Sequence, residues 1–312
     1  MLDVYKSTEE GLESVNVIED GVWINLTDPT EEEIEFVMTA IDVDRDFLSA
    51  SLDDEERPRI EADKDSGNIL IVADIPFLEI SDNSRKYETY PLGIIYTPMA
   101  VITVCLKENL ILNDFSQGAV KTFYTYKKSR FILQILYRNS ILYLQYLKQI
   151  DRLSSTIETE LHKSMKNKEL IQLMDLEKSL VYFSTSLKAN EIVLERLLRH
   201  DFLQKYEDDL ELLEDTIIEN KQAIEMSKIY SDILSGTMDA FASIISNNLN
   251  IVMQFLTAVT IVMAVPAIIS GFFGMNLAVP FEANTNGFAY VIALTALVCA
   301  GVAAFMAKKK LF

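Results

Sequence analysis

Apolar and polar residues follow two different periods along the chain, and the change falls near residue 115. Before it, the runs Val22–Leu26, Asn68–Ile75, Pro91–Tyr96 and Ala100–Cys105 are rich in β-branched and aromatic residues, stand between turn signals and read as strands. Thr27-Asp28-Pro29-Thr30 followed by Glu31–Glu33 reads as a helix start. Asp28 or Thr30 supplies the cap, and the acids meet the positive end of the helix dipole. The charge-dense stretch Leu52–Glu61 reads as a solvated connector into the strand pair. From Phe115 to Asn250 the sequence has no proline, and its two glycines are Gly118 and Gly236. Apolar positions such as Phe131, Ile135, Ile141, Leu144, Ile150, Leu153 and Ile157 recur there at helical spacing. The pattern predicts antiparallel helices over roughly 118–162 and 168–200, and a third after a polar break near 205–210.

The third helix meets no stop signal before an uncharged region. Taken from Asp215 to Phe273 it is about 59 residues, or roughly 88 Å at 1.5 Å per residue. Ile251–Phe273 is 23 residues without a charge and Phe288–Met306 is 19. Each is close to the ~20 residues that a spanning helix needs. The intervening loop has no Lys or Arg, whereas Lys308, Lys309 and Lys310 form a basic tail. Basic flanks mark the cytoplasmic side, so both termini are expected in the cytoplasm and the loop outside. The expected organisation is an acidic α/β domain over residues 1–115, a helical stalk over 116–249 and a membrane domain over 250–312. The stalk includes the start of the long helix. The membrane domain divides into a first span (251–273), an outer loop (274–287), a second span (288–306) and a tail (307–312).

Charge sharpens this division. The 312 residues hold 28 Lys+Arg and 47 Asp+Glu, net −19, yet 49% are hydrophobic, which excludes a disordered acidic chain. Residues 1–115 hold 27 acids and 8 bases; the remainder holds 20 of each. Nucleic acid is excluded as a partner, because binding phosphates takes a basic surface. Cys105 and Cys299 lie far apart in apolar segments, so a reducing compartment and no disulfide framework are expected. His162 and His200 sit in charged helical stretches and read as surface residues, leaving little material for a Cys/His zinc site. The N-terminus lacks a basic region followed by an apolar core, so no cleaved signal peptide is expected. No nucleophile elbow, P-loop or Gly-rich dinucleotide turn is present, which argues against an enzyme and against an organic cofactor.

The first span carries a seam at heptad spacing: Asn250, Met253, Thr257, Thr260, Ala264, Ala267 and Gly271, all but Met253 polar or small. Two readings fit it. Small residues on one face permit close helix packing in a membrane. Alternatively, several copies surround a narrow path with this seam facing it. Hydroxyls, one amide and no charge suit an ion that keeps its water shell. The second span is uniformly greasy and suits lipid contact.

Gly274-Met275-Asn276, directly after a first span and ahead of a second, resembles the signature of the CorA family of divalent-cation channels. The likeness extends to the acidic α/β domain, the stalk, the long helix, the stretches Asp239–Asn250 and Glu55–Glu61, and the basic tail. It implies a CorA-like, funnel-shaped homopentamer in the cell membrane, with first spans around the pore and second spans outside against lipid. It also implies transport of Mg²⁺, with Co²⁺ or Ni²⁺ as surrogates, gated by intracellular Mg²⁺. Carried over by position, Asn276 forms a selecting ring at the outer mouth. Asn250, Met253, Leu256, Thr260, Ala264 and Gly271 fall on the pore, with Thr257 and Ala267 at its border. Asp215 falls on an intersubunit regulatory metal site, with Glu88 as a candidate partner; the other reading of Asp215 is an ordinary exposed helix acid. Glu282 either attracts cations at a distance or is a solvated loop acid. Amide oxygens suit this cargo, since Mg²⁺ gives up its waters reluctantly and uncharged acceptors release it again.

The chain departs from the family pattern in three places. Phe273 replaces a tyrosine, and Pro266 lies one position away, which leaves the facing of residues 264–268 open. The tip His162–Lys168 is basic where some members are acidic. The rivals are a zinc transporter of the related ZntB type, whose motif has isoleucine where this chain has Met275, and a membrane-anchored sensor or interaction protein without transport.

Overall fold

Thr30 shows how literally the local signals are obeyed. Its hydroxyl accepts from the Glu33 N–H at 3.3 Å while the Glu33 carboxylate accepts from the Thr30 N–H at 2.9 Å, a reciprocal cap on the first helix. Asp28 instead takes a left-handed backbone, φ 44°. The computed structural model describes residues 1–9, 11–81, 84–120, 122–164, 167–199, 206–275, 280 and 286–309. Its elements are β1 (Leu2–Ser7), β2 (Leu12–Ser14), β3 (Trp23–Thr27), α1 (Glu31–Ile41), α2 (Arg45–Ser49), β4 (Arg59–Ala62), β5 (Ile69–Ser81), β6 (Ser84–Tyr96), β7 (Val101–Cys105), α3 (Leu110–Ser116), α4 (Lys128–Ser164), α5 (Asn167–Leu197), α6 (Glu207–Phe273) and α7 (Gly287–Lys308). The chain forms two compact units, Met1–Gly236 and Thr237–Phe312.

In the first unit the sheet order is β2-β1-β3-β7-β6-β5-β4, and β3 with β7 is its parallel pair. Trp23 is fully buried, ringed by Tyr5, Phe123 and Phe131 at centroid distances of 4.9, 6.1 and 5.2 Å. Its indole N–H donates to the Thr103 hydroxyl at 2.8 Å, which donates on to Asn25 Oδ1 at 2.9 Å. The polar edge of the largest core ring is thereby satisfied inside the sheet.

β1, β2, α2 and α3 are additions to the pattern expected of the sequence, and β4, β5, β6 and α4 differ from it. Within the charged connector, Arg59–Ala62 is an edge strand on β5, and Arg59 partly offsets the acids beside it, pairing with Glu61 at 2.6 Å and with Glu56 at 2.5 Å. β5 and β6 run 13 residues each, well past the apolar stretches that announce them. Their far halves are covered by α4 and α5: Tyr87 is fully buried, 5.5 Å from the Tyr146 ring and 6.2 Å from Phe183. Finally, the first long helix begins at Lys128, not 118. Gly118, at φ +68°, ends α3 with the left-handed residue such a terminus favours, and Phe123 then turns into the Trp23 cluster.

Asp74 of β5 ties the sheet to both helices. Asn139 of α4 and Asn190 of α5 each donate to its backbone carbonyl at 2.8 Å, Tyr143 donates at 3.3 Å, and Asn190 Oδ1 accepts from the Asp74 N–H at 2.9 Å. Burial under these helices pushes the Asp74 carboxyl up to about 6, against a weaker opposing hydrogen bond from Ser186. Folded Asp74 therefore holds its proton more tightly than the unfolded chain does. Its stabilising contribution is complete below about pH 4 and is lost as pH rises through about 6. Asp74→Asn, neutral at every pH, should be more stable than wild type at pH 8 by on the order of 3 kcal/mol, with the gap closing toward pH 4. Melting temperatures of the two proteins across that range check this; a gap independent of pH would show that Asp74 does not titrate there.

Candidate functional site

Within the second unit, the two helices long and apolar enough to cross a membrane are parts of α6 and α7, and only 6% and 0% of their most apolar windows are buried. A core helix of a soluble protein hides its apolar residues; these surfaces need lipid or other subunits. In the span of α6 the residues that are not exposed are Ala258, Val262, Val265, Pro266, Ile269 and Phe273. On α7 the matching set is Gly287, Val291, Thr295, Cys299, Val302, Ala303 and Met306. Both sets follow i, i+3/i+4 spacing, so each span packs along a single stripe against the other.

The seam is elsewhere. Asn250, Met253, Thr257, Thr260, Ala264, Ala267 and Gly271 are all exposed, and so is Leu256. At 3.6 residues per turn the centre of the seam lies roughly 160° around α6 from the α7-facing stripe. Pairing of the two spans within one chain therefore does not use the small and polar residues. Within residues 264–268 of one chain, Ala264, Ala267 and Ile268 are exposed, while Val265 and Pro266 are half-buried on the α7 side.

Pro266 lies inside α6 without ending it. Having no N–H, it leaves the Val262 carbonyl without its helical donor. The Cys299 thiol of α7 donates to that oxygen at 3.8 Å, so the second span meets the need that the proline creates. Thr257 and Thr260 donate to the carbonyls of Met253 and Leu256, each at 2.8 Å, so the seam hydroxyls are satisfied within their own helix and keep their lone pairs outward. A cleft of about 770 Å³ opens between the spans, bounded by Ile269, Phe273, Phe288 and Ile292.

At the end of α6, the Gly274 N–H donates to Ser270 O at 2.9 Å and the Met275 N–H to Phe272 O at 3.4 Å, so the motif begins as the helix closes. Met275 is exposed. Asn276, Glu282, Lys310 and His200 lie outside the described residues. Lys308 and Lys309 are exposed at the C-terminal end of α7, where cations meet the negative end of the helix dipole.

In the first unit Asp215 is exposed on α6, between the buried Leu213 and Thr216. Glu88, half-buried on β6, accepts from the Tyr90 hydroxyl at 2.9 Å, and Lys107 donates to that same hydroxyl at 2.7 Å. The Lys107 ammonium sits 4.2 Å from the Tyr90 ring centroid, and its bond to the hydroxyl holds it above the usual lysine range. Glu88 thus has a cation one hydroxyl away. Among the described residues no group of three or more His, Cys, Asp or Glu side chains is placed to hold a metal within one chain. Sequence reasoning missed Lys107 and Tyr90, whose partnership spans the β6–β7 pair. It also missed the α7-facing stripe, although the i, i+4 recurrence of Ala258, Val262 and Pro266 carried part of the signal.

An α/β unit joined by one continuous helix to two exposed apolar spans defines a membrane protein. The chain belongs to the CorA-like Mg²⁺ transporter protein family, whose model matches residues 19–309; members of this family are ion transporters, not enzymes. It is 31% identical over 296 residues to the cobalt/magnesium transport protein CorA of Methanocaldococcus jannaschii, a match spanning 89% of this chain and 87% of that one. The complete structure of the CorA magnesium transporter from that organism superposes with a TM-score of 0.83 at 25% identity, over 98% of this chain and 97% of the other. The cytoplasmic domain of ZntB from Vibrio parahaemolyticus shares the fold alone, with a TM-score of 0.58 at 12% identity over 80% of this chain and 97% of that one.

The Pro266–Cys299 relationship makes a double-mutant prediction. Cys299→Ala should lower the stability of the extracted protein by about 1 kcal/mol, since the Val262 carbonyl loses its donor. In a Pro266→Ala background the helix supplies its own N–H, and the same change should cost much less. Equal losses of melting temperature in both backgrounds would show that the thiol does not serve that carbonyl.

Proposed function

We propose that five copies of this chain form a homopentameric channel for Mg²⁺ across the cell membrane, with Co²⁺ and Ni²⁺ as further cargo. The observation that carries the reading is the placement of the seam. It lies opposite the stripe that pairs with α7, uncovered within one chain, in a family of Mg²⁺ transporters. Symmetric association of first spans would cover that face and leave α7 between it and lipid. Asn250, Met253, Leu256, Thr260, Ala264 and Gly271 then line the path, with Thr257 and Ala267 at its edge. Asn276 forms the selecting ring at the mouth, completing Gly274-Met275-Asn276, and Glu282 adds attraction at a distance. The basic end at Lys308–Lys310 supports cytoplasmic termini and an outer loop. In function, residues 1–115 and 116–249 are a cytoplasmic body and stalk, and 250–312 the conduit.

In this reading a regulatory metal site is completed between copies. Asp215, exposed on the helix that continues into the first span, is the acid we assign to it, with Glu88 as a candidate partner. A bound cation there stabilises one packing of the subunits only through its higher affinity for that packing. As internal Mg²⁺ falls, the site empties and the closed arrangement loses that support.

Flux into proteoliposomes with Mg²⁺, Co²⁺, Ni²⁺ and Zn²⁺ in turn, with and without a proton gradient, tests the cargo. Mg²⁺ flux independent of the gradient is expected; proton-dependent Zn²⁺ flux without Mg²⁺ flux would favour the zinc reading. Asn276→Ala should abolish Mg²⁺ uptake while leaving the oligomer intact on size-exclusion chromatography, and normal uptake would sink the assignment of the mouth.

Asp215→Ala removes a metal ligand and a repelling charge together. It should shift half-inhibition of flux to higher internal Mg²⁺, leave ion preference unchanged, and weaken protection from proteolysis by Mg²⁺. Superimposable inhibition curves for variant and wild type would make Asp215 an ordinary surface acid.

A further inference from the structure

A cavity of about 660 Å³ opens in the first unit beside the starts of α4 and α6. Tyr96, Tyr124, Tyr126 and Tyr206 line it, with Lys127, Lys128 and Arg130 on the same walls. Tyr124 and Tyr126 have rings 5.4 Å apart and are 40% and 55% exposed, and Tyr206 is 67% exposed. Such a concentration of open aromatic faces, inside a concavity of the ~300–1,000 Å³ typical of small-molecule sites, leaves apolar area in water that a ligand would cover.

The cations are held beside these rings. The Lys127 ammonium lies 5.1 Å from the Tyr124 ring centroid and that of Lys128 5.3 Å from Tyr96. Arg130 pairs with the buried carboxylate of Asp209 at 3.1 Å, which keeps its guanidinium against the wall. In a protein of net charge −19, three cations within four residues are a local reversal of sign. Flat π-faces accept a base by stacking, and fixed ammonium and guanidinium groups accept phosphate oxygens. Asp208 adds a carboxylate to the lining. It repels a bare polyphosphate, and much less one whose charge is reduced by a bound divalent cation.

We propose that this cavity binds a nucleoside polyphosphate as its Mg²⁺ complex, with the base on the Tyr124–Tyr126 wall and the phosphates toward Lys127, Lys128 and Arg130. The site is separate from the seam and does not depend on the transport reading. Tyr206 immediately precedes α6, so occupancy bears on the first turn of that helix.

The test uses the full chain in detergent, titrated calorimetrically with ATP and equimolar Mg²⁺. Inorganic triphosphate with Mg²⁺ is the arm that lacks a base. Saturable binding of one ATP per chain is expected, with triphosphate at least about tenfold weaker. The double variant Tyr124→Ala/Tyr126→Ala and the single variant Lys127→Glu should each weaken ATP binding at least about tenfold. Should the double variant melt early, Lys127→Glu, on an exposed side chain, decides alone. Absence of saturable binding to wild type, equal affinity for triphosphate, or wild-type affinity in Lys127→Glu would each overturn the proposal.

Discussion

Inside a bilayer no water is available to a backbone N–H or C=O, so every such group has to be satisfied by protein. That constraint governs the second unit. α6 crosses its apolar stretch as one uninterrupted helix, and α7 does the same. Where Pro266 removes a donor, Cys299 of the other span replaces it. The hydroxyls of Thr257, Thr260 and Thr295 each donate back to a carbonyl of their own helix at 2.8 Å. These three threonines are therefore admitted to the spans with their donors paired.

The same helix then serves two surfaces. One stripe, from Ala258 to Phe273, packs on α7; the other, the seam from Asn250 to Gly271, is exposed in the single chain. Packing and conduction make opposite demands on side chains. A packing stripe wants shape and a missing-donor repair, whereas an ion path wants small residues and lone pairs that carry no charge. Under the proposed function, a separation of about half a turn lets both demands be met on one helix.

In the first unit, side-chain amides rather than apolar contact alone fix how helices meet sheet. Asn139 and Asn190, on different helices, converge on the backbone of Asp74 and hold one register. The cost is a carboxyl that is easier to protonate than to ionise at mildly acid pH. Elsewhere the acidic surface is managed locally: Glu33 caps a helix, Glu88 has Lys107 one hydroxyl away, and Glu56 and Glu61 flank Arg59. Asp215 stands in the open on α6 within one chain.

Much of this protein was legible before any coordinates. Two uncharged stretches of spanning length, the cap at Thr30, the strand pattern of β3 and β7 and the motif Gly274-Met275-Asn276 are all short-range signals, decided by residues within a turn or two of one another. The far halves of β5 and β6 were not legible, because residues such as Glu79 and Lys86 face away from helices that cover only the other side. Nor was β4, a charge-dense edge strand set by its pairing with β5. The true start of α4 depended on Phe123 reaching the Trp23 cluster, a contact between residues 100 positions apart. The heptad spacing of the seam showed that one face of the first span is different, but not whether that face meets the second span. Periodicity reports which residues share a face; only the packed neighbour, here Cys299 and its stripe on α7, decides which face is taken.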